Sequence, residues 1–182
     1  MVVAPGCTGH ALVARLVFRC TPAALRSRLF LAQGRRLPAD LVTLLTGPPD
    51  GVAYLAVDGH RPVALVNVAP DPDGGVEVGL LVADGWRRRG LGRWLMLRAL
   101  ADPRWAGLPV HATVDPDNIP VRRLLHTLPA GARLVDFGPG EYHYRLDPAQ
   151  PAVPQPAVAQ PAVAQPGEPR TAVPAEALRT AG

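Results

Sequence analysis

Residues 76–97, VEVGLLVADGWRRRGLGRWLML, run from a strand-like segment to a helix-like one through a turn holding three successive arginines and two glycines one residue apart. Positions 76–82 are apolar and rich in valine and leucine, which predicts a strand. Asp84-Gly85 breaks it. Directly after Gly90-Leu91-Gly92 an amphipathic run begins, predicting a helix over about 91–101 that ends before Pro103. The first amides of such a helix have no partner inside it, and its dipole adds partial positive charge there. Glycines at the start let a ligand approach the backbone, because no Cβ stands in the way. Arg87, Arg88, Arg89 and Arg93 surround the place with full charges. The unit therefore predicts an anion site of the kind that takes a phosphate.

Two common phosphate loops fit poorly. A Walker A loop needs Gly-Lys-Ser/Thr, and the chain has no lysine. The dinucleotide fingerprint needs G-x-G-x-x-G directly after a strand, yet Gly90-Leu91-Gly92 continues as Arg93-Trp94-Leu95, and several residues separate it from the strand. What remains is R-x-x-G-x-G from Arg87. Alone, these six residues read equally well as an ordinary Arg-rich turn. With the Glu-bearing strand before them, the Asp84-Gly85-Trp86 turn and the amphipathic helix after, the stretch resembles the pyrophosphate-binding motif of the GNAT superfamily, the acyl-CoA-dependent N-acetyltransferases.

The rest of the chain predicts elements from turn and period signals. Residues 1–10 read as an unstructured N-terminus. Residues 11–20 (ALVARLVFRC) read as a first strand. Thr21-Pro22 is a helix start, with Thr as N-cap and Pro in the first position, for a helix over 23–31. Asp40 reads as the cap of a short helix over 41–45. Strand-like runs 52–57 and 63–68 flank Asp58-Gly59, a strong hairpin signal. After strand 76–82 and helix 91–101 come a strand at 109–114, a helix from Asn118 to about residue 128, and strands at 133–137 and 142–146. The order β-α-α-β-β-β-α-β-α-β-β is that of the GNAT fold. The resemblance covers about 11–147 and implies a single α/β GNAT-like domain. Its mixed, mostly antiparallel central sheet would be flanked by helices and splayed at the two central strands. From 148 to 182 the chain repeats PAV-x-Q, with Gln150, Gln155, Gln160 and Gln165 five residues apart. Proline at this density forbids helix and sheet ladders, so a disordered Pro/Ala/Gln tail is expected.

Composition narrows the partners. The 182 residues suffice for one domain with a sizeable core. Net charge is +4, and all nineteen basic residues are arginine. Nucleic-acid binding wants a broader basic face interleaved with aromatics, and three residues each of Phe, Tyr and Trp do not supply it. An Arg-rich nucleic-acid binder is therefore a distant third reading, and no nucleic acid is expected as a partner. Cys7 and Cys20 make no disulfide or metal framework, and no metal is expected. No apolar run is long enough to span a bilayer, and no signal peptide is evident, so a cytoplasmic protein without a membrane partner is expected.

The resemblance also implies site residues. The phosphate turn (Arg87, Arg88, Arg89, Gly90, Leu91, Gly92, Arg93) would hold the pyrophosphate of acetyl-CoA, the co-substrate. The peptide groups of Leu80 and Val82 match the strand positions that pair with the pantetheine arm, their side chains facing the core. Asn118 matches an Asn that commonly contacts the same arm; read on its own it is equally a plain N-cap. An acceptor ammonium must lose a proton, and Glu77 matches a position that often carries the base. Strand alternation puts Glu77 on the face opposite Val76 and Val78, where it is almost as readily an exposed carboxylate. Glu141 and His143 are fallback bases, while His111 and His126 read as surface or packing residues. The family's usual acid is a Tyr seven residues beyond the Asn. Leu125 stands there, leaving Tyr142, Tyr144 or water to protonate the departing thiolate. Arg122 and Arg123 read as a solvated helix face, and Arg35-Arg36 as a solvated loop. The expected partner is an amine-bearing acceptor, small molecule or protein, and the fold admits a homodimer through edge pairing. The alternative to direct N-acetyl transfer is a non-catalytic acyl-CoA-binding module of the same fold.

Overall fold

The computed structural model of the chain describes residues 2–5, 9–29, 38–129 and 131–147. Its strands are β1 (Val2–Pro5), β2 (Val52–Asp58), β3 (Arg61–Pro70), β4 (Val76–Val82), β5 (Val110–Val114), β6 (Arg133–Gly138) and β7 (Glu141–Leu146). They form one sheet in the order β1-β2-β3-β4-β5-β7-β6. The helices are α1 (His10–Val17), α2 (Pro22–Leu29), α3 (Ala39–Thr46), α4 (Leu91–Leu100) and α5 (Ile119–His126). Every neighbouring strand pair is antiparallel except β4–β5.

The N-terminal expectations are overturned. The segment expected to be the first strand, 11–20, is helical through Val17, and the first strand is β1, inside the stretch expected to be unstructured. The apolar residues explain why. Leu12, Val13, Leu16 and Val17 follow a spacing of three and four, which makes one helical stripe, and Val13, Leu16 and Val17 are buried. β1 finds its order in an antiparallel ladder against β2, Val2 opposite Val57 through Pro5 opposite Tyr54. A second correction concerns α3, which begins at Ala39 with Pro38 in the N-cap position. Asp40 therefore lies inside the first turn. The tail from 148, the Arg35-Arg36 loop and Cys7 lie outside the described residues.

Elsewhere the turn chemistry holds. Ala24 N–H donates to the Thr21 hydroxyl at 3.3 Å, so Thr21 caps α2 with Pro22 behind it. Asp58 pairs with Arg61 across Gly59-His60, with Gly59 at φ +56. Two apolar layers sandwich the sheet. On one face Val66, Val68, Val76 and Val78 pack with Leu91, Leu95, Met96 and Ala99 of α4 and with Leu125 of α5. On the other Leu55, Leu65 and Leu81 pack with Val13, Leu16 and Val17 of α1 and Ala24 and Leu25 of α2. Among the described residues no helix is long and apolar enough to cross a membrane.

The feature that positions the site is where β4 and β5 part. Their parallel pairing is limited to Val76 opposite Val110 and Glu77 opposite His111. Beyond that, β4 continues with β3 to Val82, paired with Ala64, and β5 turns to β7. The expected splay at the two central strands is present, and beyond Glu77 it leaves β4 without a strand partner on the β5 side.

Candidate active site

A cleft of about 850 Å³ opens at this parting. Leu80 and Val82 of β4 line it, together with the turn 84–90, the first turn of α4, and Asn118, Pro120, Val121 and Leu124 at the start of α5. A smaller cavity of about 50 Å³ shares Arg28, Leu80, Asn118, Val121 and Leu124 with the cleft. It reaches between the parted strands to Gly79, Ala112, Thr113 and Val114. A single water needs about 10–15 Å³ of such space, so the inner cavity holds a group of a few heavy atoms.

The turn and α4 are built for a close approach. Gly90 has φ +75 and is the N-cap residue of α4, with no side chain to cap it. The amides of Leu91, Gly92 and Arg93 are thus left at the mouth of the cleft. A glycine inside a helix costs about 0.8–1.0 kcal/mol relative to alanine, so position 92 must repay that by geometry. It does: a Cβ there would lie 3.2 Å from Leu80 Cδ2, 3.6 Å from Leu124 Cδ2 and 3.7 Å from Val82 Cγ2. The helix start can therefore press against β4 and α5 while its amides stay open.

The arginines divide by their partners. Arg87 Nη2 lies 2.5 Å from Asp84 Oδ1, and the other Asp84 oxygen accepts from Thr21 N–H, also at 2.5 Å, which ties the turn to α2. Arg89 stacks over Trp86, 5.0 Å from the ring centroid. Arg88, at φ +59, and Arg93 are exposed and have no ion pair among the described residues. They are the cations free for an anion entering the cleft.

Two residues of α2 complete the lining and were not foreseen. Arg28 reaches in and donates from Nη1 to the Val82 carbonyl at 2.7 Å. Burial first, and then the neighbouring Arg87, lowers its pKa from the ordinary guanidinium value, with Cys20 and Asp84 acting in the opposite direction. The Ser27 carbonyl accepts from Asn118 Nδ2 at 3.4 Å. Asn118 occupies the N-cap position of α5 without making a side-chain cap bond, so the plain-cap reading is corrected: its amide links α5 to α2 across the cleft. No local signal in PAALRSRL marks either residue; only the packing of α2 on the sheet brings them here.

Leu80 and Val82 are partly buried, and their side chains line the cleft while packing on the α4 layer. Glu77 is exposed, and Val76 and Val78 are buried on the opposite face, as alternation requires. Glu77 lines neither cavity. It stands at the last paired position before the strands part, and Thr113 Oγ1 donates to its Oε1 at 3.3 Å. Leu125 is 1% exposed and belongs to the core. The Tyr144 hydroxyl accepts from Arg122 Nε at 3.1 Å, and Arg122 also donates to the Pro116 carbonyl and lies over Tyr142. Arg122 is thus half-exposed but tied to β7 and to the Pro116 carbonyl rather than free in solvent. Among the described residues lining the two cavities, Ser27 and Thr113 carry the hydroxyls and no tyrosine is present. His126 is exposed and meets Tyr144 edge-on, and His111 pairs with Asp71 at 2.5 Å; both are packing or surface residues.

A model of the acetyltransferase (GNAT) family matches residues 23–128. The mycothiol acetyltransferase of Clavibacter michiganensis subsp. michiganensis is 41% identical over 83 residues, 44% of this chain and 26% of that protein. The chain thus spans about a quarter of the length of this curated relative. Solved structures share the fold. The GNAT domain of S. lividans PAT has a TM-score of 0.68 at 23% identity, covering 80% of this chain and 89% of that one. An acetyltransferase from Thermus thermophilus has a TM-score of 0.62 at 20% identity, covering 80% and 96%. YncA of Salmonella typhimurium, solved with its cofactor acetyl-CoA, has a TM-score of 0.58 at 16% identity, covering 85% and 99%.

Proposed function

Given that the chain belongs to the GNAT acetyltransferase family, we infer that it moves the acetyl group of acetyl-CoA directly to the nitrogen of an amine acceptor, in the cytoplasm. The observation that carries the reading is the cleft itself. A helix N-terminus with open amides, two unpaired arginines and the free edge of β4 converge on one space that ends in a small cavity. In this reading Arg88, Arg93 and the amides after Gly90 hold the diphosphate, with Arg87 and Arg89 supporting charge around it. The peptide groups of Leu80 and Val82 pair with the amides of the pantetheine arm, and Asn118 contacts the same arm. Because Arg28 already engages the Val82 carbonyl, it must shift when that pairing forms. The inner cavity favours a two-carbon acyl group over a long one.

Glu77 takes the proton of the acceptor ammonium. A free primary amine has a pKa near 10.4, so little is neutral at pH 7 and a base raises the reactive fraction. The absence of a tyrosine from the described cleft lining is the observation that favours the second reading, a module that binds acyl-CoA without turnover. The two are separated by following release of the free CoA thiol with the parent protein and Glu77→Gln over a panel of primary amines and amino-group-bearing peptides. Thiol release matched by acetylated product, and lost in Glu77→Gln, supports the enzyme. Saturable acetyl-CoA binding with no product on any amine supports the module.

A further inference from the structure

Among the arginines that line the cleft, Arg28 alone comes from outside the arginine turn and α4. It projects from the last turn of α2, is half-buried, and lines the cleft and the inner cavity alike. A guanidinium carries five N–H donors and no acceptor. One donor, on Nη1, serves the Val82 carbonyl at 2.7 Å, and Arg28 makes no other hydrogen bond or ion pair among the described residues. Asp84, the carboxylate that attracts it, is already engaged by Arg87 and by the Thr21 amide. Burial and the Arg87 charge both work against the cation. A half-buried charge with donors to spare and a second cation nearby lacks an anion. The place where an anion is expected is adjacent. Val82, which Arg28 grips, abuts the start of α4: a Cβ on Gly92 would lie 3.7 Å from Val82 Cγ2. The guanidinium therefore stands beside the open amides that follow Gly90.

We propose that Arg28 is an exchangeable cofactor-binding residue: it covers the Val82 carbonyl until the pantetheine arm claims that carbonyl, and then binds the diphosphate of acetyl-CoA. The inference rests on the reading of acetyl-CoA as the co-substrate. The exchange leaves no group stranded. Before it, the Val82 carbonyl accepts from Arg28 Nη1. After it, the carbonyl accepts from an N–H of the arm, and the released guanidinium gives its paired N–H groups to phosphate oxygens, which its planar fork suits. Only the Arg28 side chain has to turn. The backbone of α2 stays tied at one end by the Thr21 amide on Asp84 and at the other by Asn118 on the Ser27 carbonyl. A selectivity follows. An acylated arm without a diphosphate displaces Arg28 from Val82 and offers the freed cation nothing in return. Arg28 therefore favours the whole cofactor over its acyl-pantetheine half.

Two measurements on the full chain test it. Calorimetric titration compares the parent with Arg28→Met, which keeps an apolar stem and removes the charge. The ligands are acetyl-CoA, its nucleotide half (adenosine 3′-phosphate 5′-diphosphate) and S-acetylpantetheine. Arg28→Met is expected to bind the nucleotide half about tenfold more weakly or worse, the loss of a charge-assisted contact. It is expected to bind S-acetylpantetheine at least as tightly as the parent does, because the arm no longer displaces a cation. An unchanged Kd for the nucleotide half overturns the proposal and leaves acetyl-CoA as co-substrate. Weakening of both halves by the same factor overturns it too. The second measurement needs no variant. The Val82 carbonyl carbon of the parent is followed by carbon-13 NMR. The nucleotide half alone draws Arg28 away and moves the resonance upfield, the direction of a lost hydrogen bond, and whole acetyl-CoA returns it as the arm N–H takes over. A resonance that the nucleotide half leaves unmoved overturns the exchange. A parent that binds neither acetyl-CoA nor the nucleotide half defeats the co-substrate reading, and the exchange with it.

Discussion

The two ends of the cleft are assembled in opposite ways. At the phosphate end, β4, the arginine turn and α4 follow one another within 76–100, and most of the residues that line the cleft come from that one stretch. At the parting of the strands, the groups come from α2, β4, β5 and α5, from Ser27 to Leu125 along the chain. Local chain geometry builds the first. Tertiary packing builds the second. The difference teaches that an anion site made of one turn and one helix start can be read along the chain, whereas a site for the reacting groups exists only once the sheet has formed.

Breaking the reacting end alone should give the largest effect. Glu77→Gln is expected to lower turnover about 10²–10⁴-fold, the usual contribution of a general base, with the Kd for acetyl-CoA unchanged. Steady-state kinetics beside calorimetric binding checks both halves. At the phosphate end, Gly92→Val forces a branched side chain against Leu80 and Leu124. Overpacking of this kind costs about 1–3 kcal/mol, so acetyl-CoA binding should weaken about 5–150-fold, read as a smaller thermal shift at fixed ligand concentration. Arg88→Ala and Arg93→Ala should each weaken binding by about tenfold, the loss of one charge-assisted hydrogen bond. The difference from the parent should shrink as salt is raised, because both side chains are exposed.

The smallest effect lies away from both ends and serves as the control. The Arg104 side chain, hydrogen-bonded to Asp102, is the main cause that lowers the Asp102 pKa to about 2, with the Arg104 amide and the Tyr54 hydroxyl also donating to it. A carboxylate depressed in the folded state stabilises fully above its unfolded pKa of about 3.9 and loses that contribution as pH falls through about 2. Asp102→Asn should therefore lower Tm slightly at pH 5, and the gap to the parent should close towards pH 2. The gap stays small because Arg104 is exposed, and acetyl-CoA binding should not change.

Most of the fold was legible because its turns announce themselves. Asp58-Gly59, Gly74-Gly75, Gly90 and Gly138-Pro139-Gly140 fall at the ends of elements or between them, and the bounds follow within a few residues. The N-terminus misled because ALVARLVF is rich in β-branched and apolar residues, while its stripe of 12, 13, 16 and 17 obeys the helical period. Glu77, Leu80 and Val82 lie on β4, and the arginine turn leads into α4, as the strand and helix signals predict. Arg28, Ser27 and Thr113 were not visible, since a serine or arginine in a polar helix and a threonine in a strand carry no sign of what they will face. Arg122 looked solvated for the same reason: its partner Tyr144 is twenty-two positions away.

The most direct test is a titration of the full chain with acetyl-CoA, run in parallel on Glu77→Gln and on the Arg88→Ala/Arg93→Ala double variant. If the cleft is assembled from a phosphate end and a separate reacting end, the parent and Glu77→Gln bind with the same Kd, and the double variant binds far more weakly. The account is contradicted if the parent does not bind acetyl-CoA, or if Glu77→Gln weakens binding as much as the loss of the two arginines.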